Sequence, residues 1–241
     1  MKKKGLFIFV IFIGVLIITG CGTKKDSRFI ENTDSSKKYK GIIYLDPTDL
    51  NKKCEESDVK STPLTKEGCM KWYVYNNDDN TYKMILDHNI SGNGYYSSDK
   101  FSDSGDAVEK ELKKLTEDWK ADAKLMTMDE LKDITGKDYE KNNNTFSYEL
   151  NELEEGVEYG WLTDNMKMCK TFGKCYNEVS DEFPCYSGCS KGWSTGWYLG
   201  TAFEAYTEAR VFAVQSSGTV NNGPVHNSNN GIRPVIWINR N

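Results

Sequence analysis

The residues best placed to do chemistry are seven cysteines: Cys21, Cys54, Cys69, Cys169, Cys175, Cys185 and Cys189. A thiol can close a disulfide, ligate zinc as thiolate, or be covalently modified. Cys21 stands apart, directly behind an apolar leader. The other six are an even number, which in an exported chain reads as a disulfide framework. Sequence proximity favours Cys54–Cys69, Cys169–Cys175 and Cys185–Cys189, with a crossed pattern among the last four as the rival. Zinc is disfavoured, because no Cys-x-x-Cys pair or neighbouring histidine has finger spacing. No cofactor or metal is therefore expected.

Aromatic and polar side chains give the second candidate set. Trp193, Trp197 and Tyr198 are interleaved with Gly192, Gly196 and Gly200. Glycine-rich loops expose rings, and exposed rings give contact area to sugars or peptides at low entropy cost. The same rings would equally fill a core that lacks regular structure. Asn222 and His226, in the segment Val220–Asn227, add donors and acceptors suited to a polar ligand. His88, at a strand end, reads as a hydrogen-bonded structural residue. Arg233 lies in an apolar stretch, where an arginine is usually paired and packed, so its expected role is structural. The acidic run Asn76–Thr81 reads as a turn; the bidentate glutamate of a calcium loop is missing. There is no nucleophile elbow, P-loop, dinucleotide fingerprint or zinc-protease motif. No catalytic residue is selected.

The address comes from the first 21 residues. Lys2–Lys4 precede an apolar run from Leu6 to Ile18, and 13 apolar residues fall short of the ~20 that span a bilayer. That is a secretory signal. Its end, Ile18-Thr19-Gly20-Cys21, resembles the lipobox of bacterial lipoproteins. The resemblance implies that residues 1–20 are removed, that Cys21 is acylated, and that the protein is held on the extracytoplasmic face of a membrane. An uncleaved anchor and a plain secreted protein are the alternatives. Losing three lysines with the leader takes the formal charge from -5 to -8. An acidic body without a basic stripe disfavours nucleic acid. Residues 21–40 are polar, without apolar periodicity, and read as a lipidated flexible tether spanning roughly 25 Å. Residues 41–241 suffice for one sizeable domain.

The elements that must position these residues are legible in part. Gly41–Leu45 reads as a strand ended by Asp46-Pro47. Lys71–Tyr75 and Tyr82–Leu86 read as a hairpin across the Asn76–Thr81 turn. Val108, Leu112, Leu115 and Trp119 share one helical face. Ala123–Met126 reads as a short strand leading into a second helix. There Thr127 and Glu130 have capping-box spacing, and Gly136 supplies the stop. Ala209–Val214 reads as a strand turned by Ser216-Ser217-Gly218, Gln215–Asn230 as a polar loop, and Ile232–Ile238 as the closing strand. Strands, two helices, irregular loops and then strands make an α+β order.

Two signatures carry a resemblance across most of residues 41–241. One is the Trp-Tyr hairpin ending Met84-Ile85-Leu86-Asp87-His88-Asn89. The other is the terminal Gly231-Ile232-Arg233-Pro234-Val235-Ile236. Together they resemble uncharacterised exported bacterial proteins, and more widely the C-type-lectin-like superfamily that includes formylglycine-generating enzymes. The Thr-x-x-Glu helix start stands at Thr127–Glu130 and the Gly-Phe-Arg strand at Gly231–Arg233. The resemblance implies a mixed twisted sheet with two helices and long irregular loops, binding a sugar, peptide or protein. The oxidases of that superfamily carry two catalytic cysteines shortly before the closing strand. Here Ala209–Asn230 contains none, so binding is the expected function, with an enzyme or a structural envelope protein on the same fold as alternatives. The calcium-dependent sugar motifs of the lectin branch are also missing.

Overall fold

A computed structural model describes residues 26–59, 65–78, 80–90, 107–143, 145–163, 196–203, 210–215, 217–224 and 230–240. Cys21, Cys169, Cys175, Cys185, Cys189, Trp193 and His226 lie outside the described residues.

The chain is mixed α+β, dominated by antiparallel sheet. Strands β1 (Phe29–Glu31), β2 (Gly41–Leu45), β3 (Met70–Asn77), β4 (Thr81–Leu86), β5 (Ala123–Leu125) and β10 (Pro234–Asn239) form one sheet, in the order β1-β2-β3-β4-β10-β5. Strands β6 (Ser147–Glu149), β7 (Trp197–Phe203), β8 (Arg210–Val214) and β9 (Thr219–Pro224) form a second, in the order β6-β9-β8-β7. Helices α1 (Ala107–Leu115), α2 (Met128–Thr135) and the single turn α3 (Gly160–Thr163), with 3-10 turns at Glu56–Asp58 and Leu150–Glu152, complete the described elements.

Strand alternation sends side chains to two cores. Trp72, Val74, Met84, Leu86, Ile236 and Ile238 face one cluster, closed by Val108 and Leu112 of α1 and by Trp119. Tyr73, Tyr75, Ile85 and Val235 face the other, closed by Met128 and Leu131 of α2 and by Trp197, Phe212 and Val220 of the smaller sheet. Each fully buried apolar side chain contributes about 1.5–3 kcal/mol, so the stripe on α1 holds that helix down despite its charged outer face. Helix α2 starts as its sequence requires. Thr127 Oγ1 accepts from the Glu130 N–H at 3.2 Å, and Glu130 Oε2 accepts from the Thr127 N–H at 2.9 Å. It ends at Gly136, whose φ of 72° is left-handed.

Two expectations need correction. Residues 21–40 do not form a tether throughout. Asp26 is buried and salt-bridged to Arg28 at 2.8 Å. Phe29 stacks on Tyr82 at 5.2 Å, and β1 pairs with β2. The fold therefore begins by residue 26, because one ring and one ion pair do the work that apolar periodicity would otherwise do. The polar stretch Gln215–Asn230 is also not all loop. Thr219–Pro224 forms β9, held by ladders to both β6 and β8.

Of the cysteines, Cys54 and Cys69 are disulfide-bonded across a sequence separation of 15. This closes the loop between β2 and β3.

Candidate functional site

The glycine-rich aromatic segment is core where it is described. Trp197 is fully buried, and its indole N–H donates to the Leu162 carbonyl at 2.9 Å. Tyr198 is buried beside Val211 and Ala213, and burial holds its hydroxyl well above the usual phenol range. Gly196 is not there to expose rings. A Cβ at that position would lie 1.8 Å from the Val214 carbonyl oxygen, so the glycine permits close backbone approach. Trp197 and Tyr198 are thus corrected from ligand-surface candidates to packing residues.

Arg233 explains why Trp197 is fixed. Its side chain is fully buried. Nε donates to the Leu86 carbonyl at 2.6 Å, Nη1 to Leu162 at 2.6 Å and Nη2 to Trp161 at 2.8 Å. The guanidinium lies 5.6 Å from the centroid of the Trp197 ring. The Leu162 carbonyl therefore accepts from both Arg233 and Trp197. One planar fork ties the hairpin end, α3 and the start of the closing strand. The three sites that Thr127, Glu130 and Arg233 occupy are framework positions; Glu130 Oε1 also accepts from the Tyr75 hydroxyl at 2.7 Å. Burial first and the Glu130 carboxylate second push that hydroxyl far above the usual phenol range.

His88 is nearly buried, with one ring nitrogen against the Asp87 carboxylate and the other 2.7 Å from the Thr65 carbonyl. Asn222 is half-buried on β9 and accepts from Arg210 Nη1 at 3.2 Å.

The structure instead offers a groove beside α1 that the sequence did not single out. Its volume is about 690 Å³, within the range of ligand clefts. Leu112, Trp119 and Leu125 supply apolar walls, and Gly200 lines the groove from β7, where a Cβ would come within 3.2 Å of the Leu125 side chain. Glu109, Lys113, Glu117 and Asp122 supply charged groups along it; Lys124 borders it too, but its ammonium is turned to the Trp237 ring, 4.1 Å from the centroid. The groove is well anchored. The Trp119 indole N–H donates to the Lys66 carbonyl at 2.8 Å, and the ring meets Trp72 edge-on at 5.8 Å. The Lys120 N–H donates to the Pro47 carbonyl at 2.7 Å. The Val108/Leu112/Trp119 stripe was readable as a packing face. That its flank stays open beside β5 depends on the path of β7, which no local pattern encodes.

Among the described residues no group of three or more His, Cys, Asp or Glu side chains is arranged to hold a metal ion. No described helix is long and apolar enough to cross a membrane. Compared with known families, with curated proteins and with solved structures, the chain has no match in any of the three.

Proposed function

We propose that this chain is a lipid-anchored, extracytoplasmic binding module built on a C-type-lectin-like domain, with its ligand seated in the groove between α1, β5 and β7. The observation that carries this reading is the groove itself: a cleft of ligand size with apolar walls, flanked by charges of both signs. Aromatic and aliphatic walls supply affinity, and a few placed polar groups supply orientation. Mixed apolar and charged contacts suit a peptide or protein segment, or a charged sugar. Binding is preferred to catalysis because Ala209–Asn230 has no counterpart of the cysteine pair in the oxidases that the sequence resembles. Acylation of Cys21 places the groove at the cell surface.

Arrays of glycans and of peptides, probed with the purified lipidated protein, test the reading. Glu117 and Asp122 are exposed, so Glu117→Arg with Asp122→Arg reverses the charge along the groove without disturbing the fold. The expected result is retention of one ligand class by wild type, lost in the double variant at unchanged melting temperature. Retention that survives the charge reversal places the ligand elsewhere and overturns the groove assignment.

A further inference from the structure

Trp237 is the one aromatic side chain among the described residues that stands out as a large exposed hydrophobic, at 44% exposure. It lies on β10 on the same face as buried Val235, but beyond the part of that face that α2 and the smaller sheet close. Two lysines converge on its ring. Lys83, directly opposite on β4, has Nζ 4.5 Å from the ring centroid. Lys124, on β5, has Nζ 4.1 Å from it. Holding two ammoniums against one exposed ring costs mutual repulsion, which an anionic partner relieves. Two carboxylates on neighbouring elements are already engaged internally. Glu130 accepts from Tyr75 and Thr127. Asp78 accepts from Asn80 and Thr81, and its charge also acts on Lys83, offsetting part of that lysine's field. The patch is therefore a local cationic and aromatic feature on a protein of net negative charge.

The start of the fold lies at the same end of this sheet. Arg28, bonded to buried Asp26, donates to the Asn239 carbonyl at 3.2 Å. Asn239 is two residues beyond Trp237 on the same strand, and Phe29 stacks on Tyr82 at this end on the opposite face of the sheet. Five peptide steps separate Cys21 from Asp26, a path of at most ~18 Å in any conformation. If Cys21 carries lipid, this end of the sheet is held at the membrane surface.

We infer that this end of the sheet is a membrane-docking surface: Trp237 enters the headgroup layer while Lys83 and Lys124 contact the phosphates of anionic lipid. The inference rests on the acylation of Cys21. Tryptophan prefers the interface, and the Trp237 N–H is already satisfied by the Tyr75 hydroxyl, so the ring can enter without an unmet donor. Lysine stems lie along apolar surface while their ammoniums reach phosphate. The anchor supplies proximity, and the patch sets orientation: the domain lies against the bilayer rather than swinging free.

The test uses the full lipidated protein, with mass spectrometry of the mature chain first. It is reconstituted in vesicles of phosphatidylglycerol or of phosphatidylcholine, each with brominated acyl chains that quench tryptophan emission at short range. With Trp193→Phe as a common background, the protein should be quenched in phosphatidylglycerol vesicles and Trp237→Phe should lose that quenching, because Trp72, Trp119, Trp161 and Trp197 are buried. Lys83→Gln and Lys124→Gln should each lower the docked-to-free ratio about fivefold, an effect missing in phosphatidylcholine. A lipidated chain whose quenching is the same with and without Trp237→Phe overturns the docking while the anchor stands. A mature chain without lipid at Cys21 overturns the anchor and this inference together. Quenching lost to an added anionic polysaccharide that binds the same patch would reassign it to a glycan and also overturn the docking.

Discussion

Replacing Arg233 with methionine removes a buried cation and leaves the carbonyls of Leu86, Trp161 and Leu162 without its three donated bonds. An orphaned buried carbonyl costs about 1–3 kcal/mol. Against that, the folded state no longer carries a desolvated guanidinium, a relief of several kcal/mol. Methionine also fills much of the vacated volume. The first effect wins, because the carbonyls are fixed by the hairpin end and by α3 and cannot turn to water. The Leu162 carbonyl keeps its bond from Trp197, so two carbonyls are orphaned, and after part of their cost is offset by the relieved desolvation a net loss of about 2–4 kcal/mol is expected. In a chain of this length each kcal/mol moves the melting temperature by about 2–4 °C, so it should fall by about 4–16 °C. Arg233→Lys should do no better. A single ammonium cannot reproduce a planar fork that reaches Leu86 on one side and Trp161 and Leu162 on the other. Urea titration followed by tryptophan emission is the assay, with the midpoint falling at unchanged slope. A methionine variant within about 1 kcal/mol of wild type would refute the claim that Arg233 ties these segments.

Trp197→Ala should cost about 3–5 kcal/mol, measured by the same titration, because a fully buried ring and its bond to Leu162 are both lost; a thermally silent variant would return Trp197 to the surface. Cys54→Ser with Cys69→Ser should cost about 2–4 kcal/mol, and peptide mapping without reductant should recover the Cys54–Cys69 peptide intact. Asp46 is buried, and although burial raises its pKa, bonds from Thr48 and Lys52 outweigh this and hold it below the usual carboxylate range. A depressed carboxylate stabilises above its unfolded pKa and loses that contribution as pH falls through the folded value. Asp46→Asn should therefore flatten the acid limb of the stability curve below about pH 4, while leaving less stability at neutral pH.

Much of the main sheet was legible because its signals are local. The Asn76–Thr81 turn formers sit between two apolar runs and mark the hairpin. Thr127, Glu130 and Gly136 mark both ends of α2. Cys54 and Cys69 pair with each other, as their proximity favoured. The illegible parts rest on distant partners. Residues 26–40 lack periodicity, and their place is set by Phe29 on Tyr82 and Arg28 on Asn239. Strand β9 is polar because its ladders on both sides hold it, with Val220 its one fully buried apolar residue among those described. The role of Trp197 depends on carbonyls and a guanidinium contributed by segments far apart in the chain. A glycine-rich aromatic stretch gives no local sign of that. Trp237 follows the same alternation as Val235, and only the reach of α2 and the smaller sheet leaves it exposed.

Hydrogen exchange on the full protein, with and without the ligand retained on the arrays, tests the groove most directly. The account predicts slowed exchange in α1 and in the segment from Thr116 to Thr127, with Gly200 protected on the facing strand. Protection confined to β9 around Asn222, with α1 unchanged, would contradict it and move the ligand to the smaller sheet.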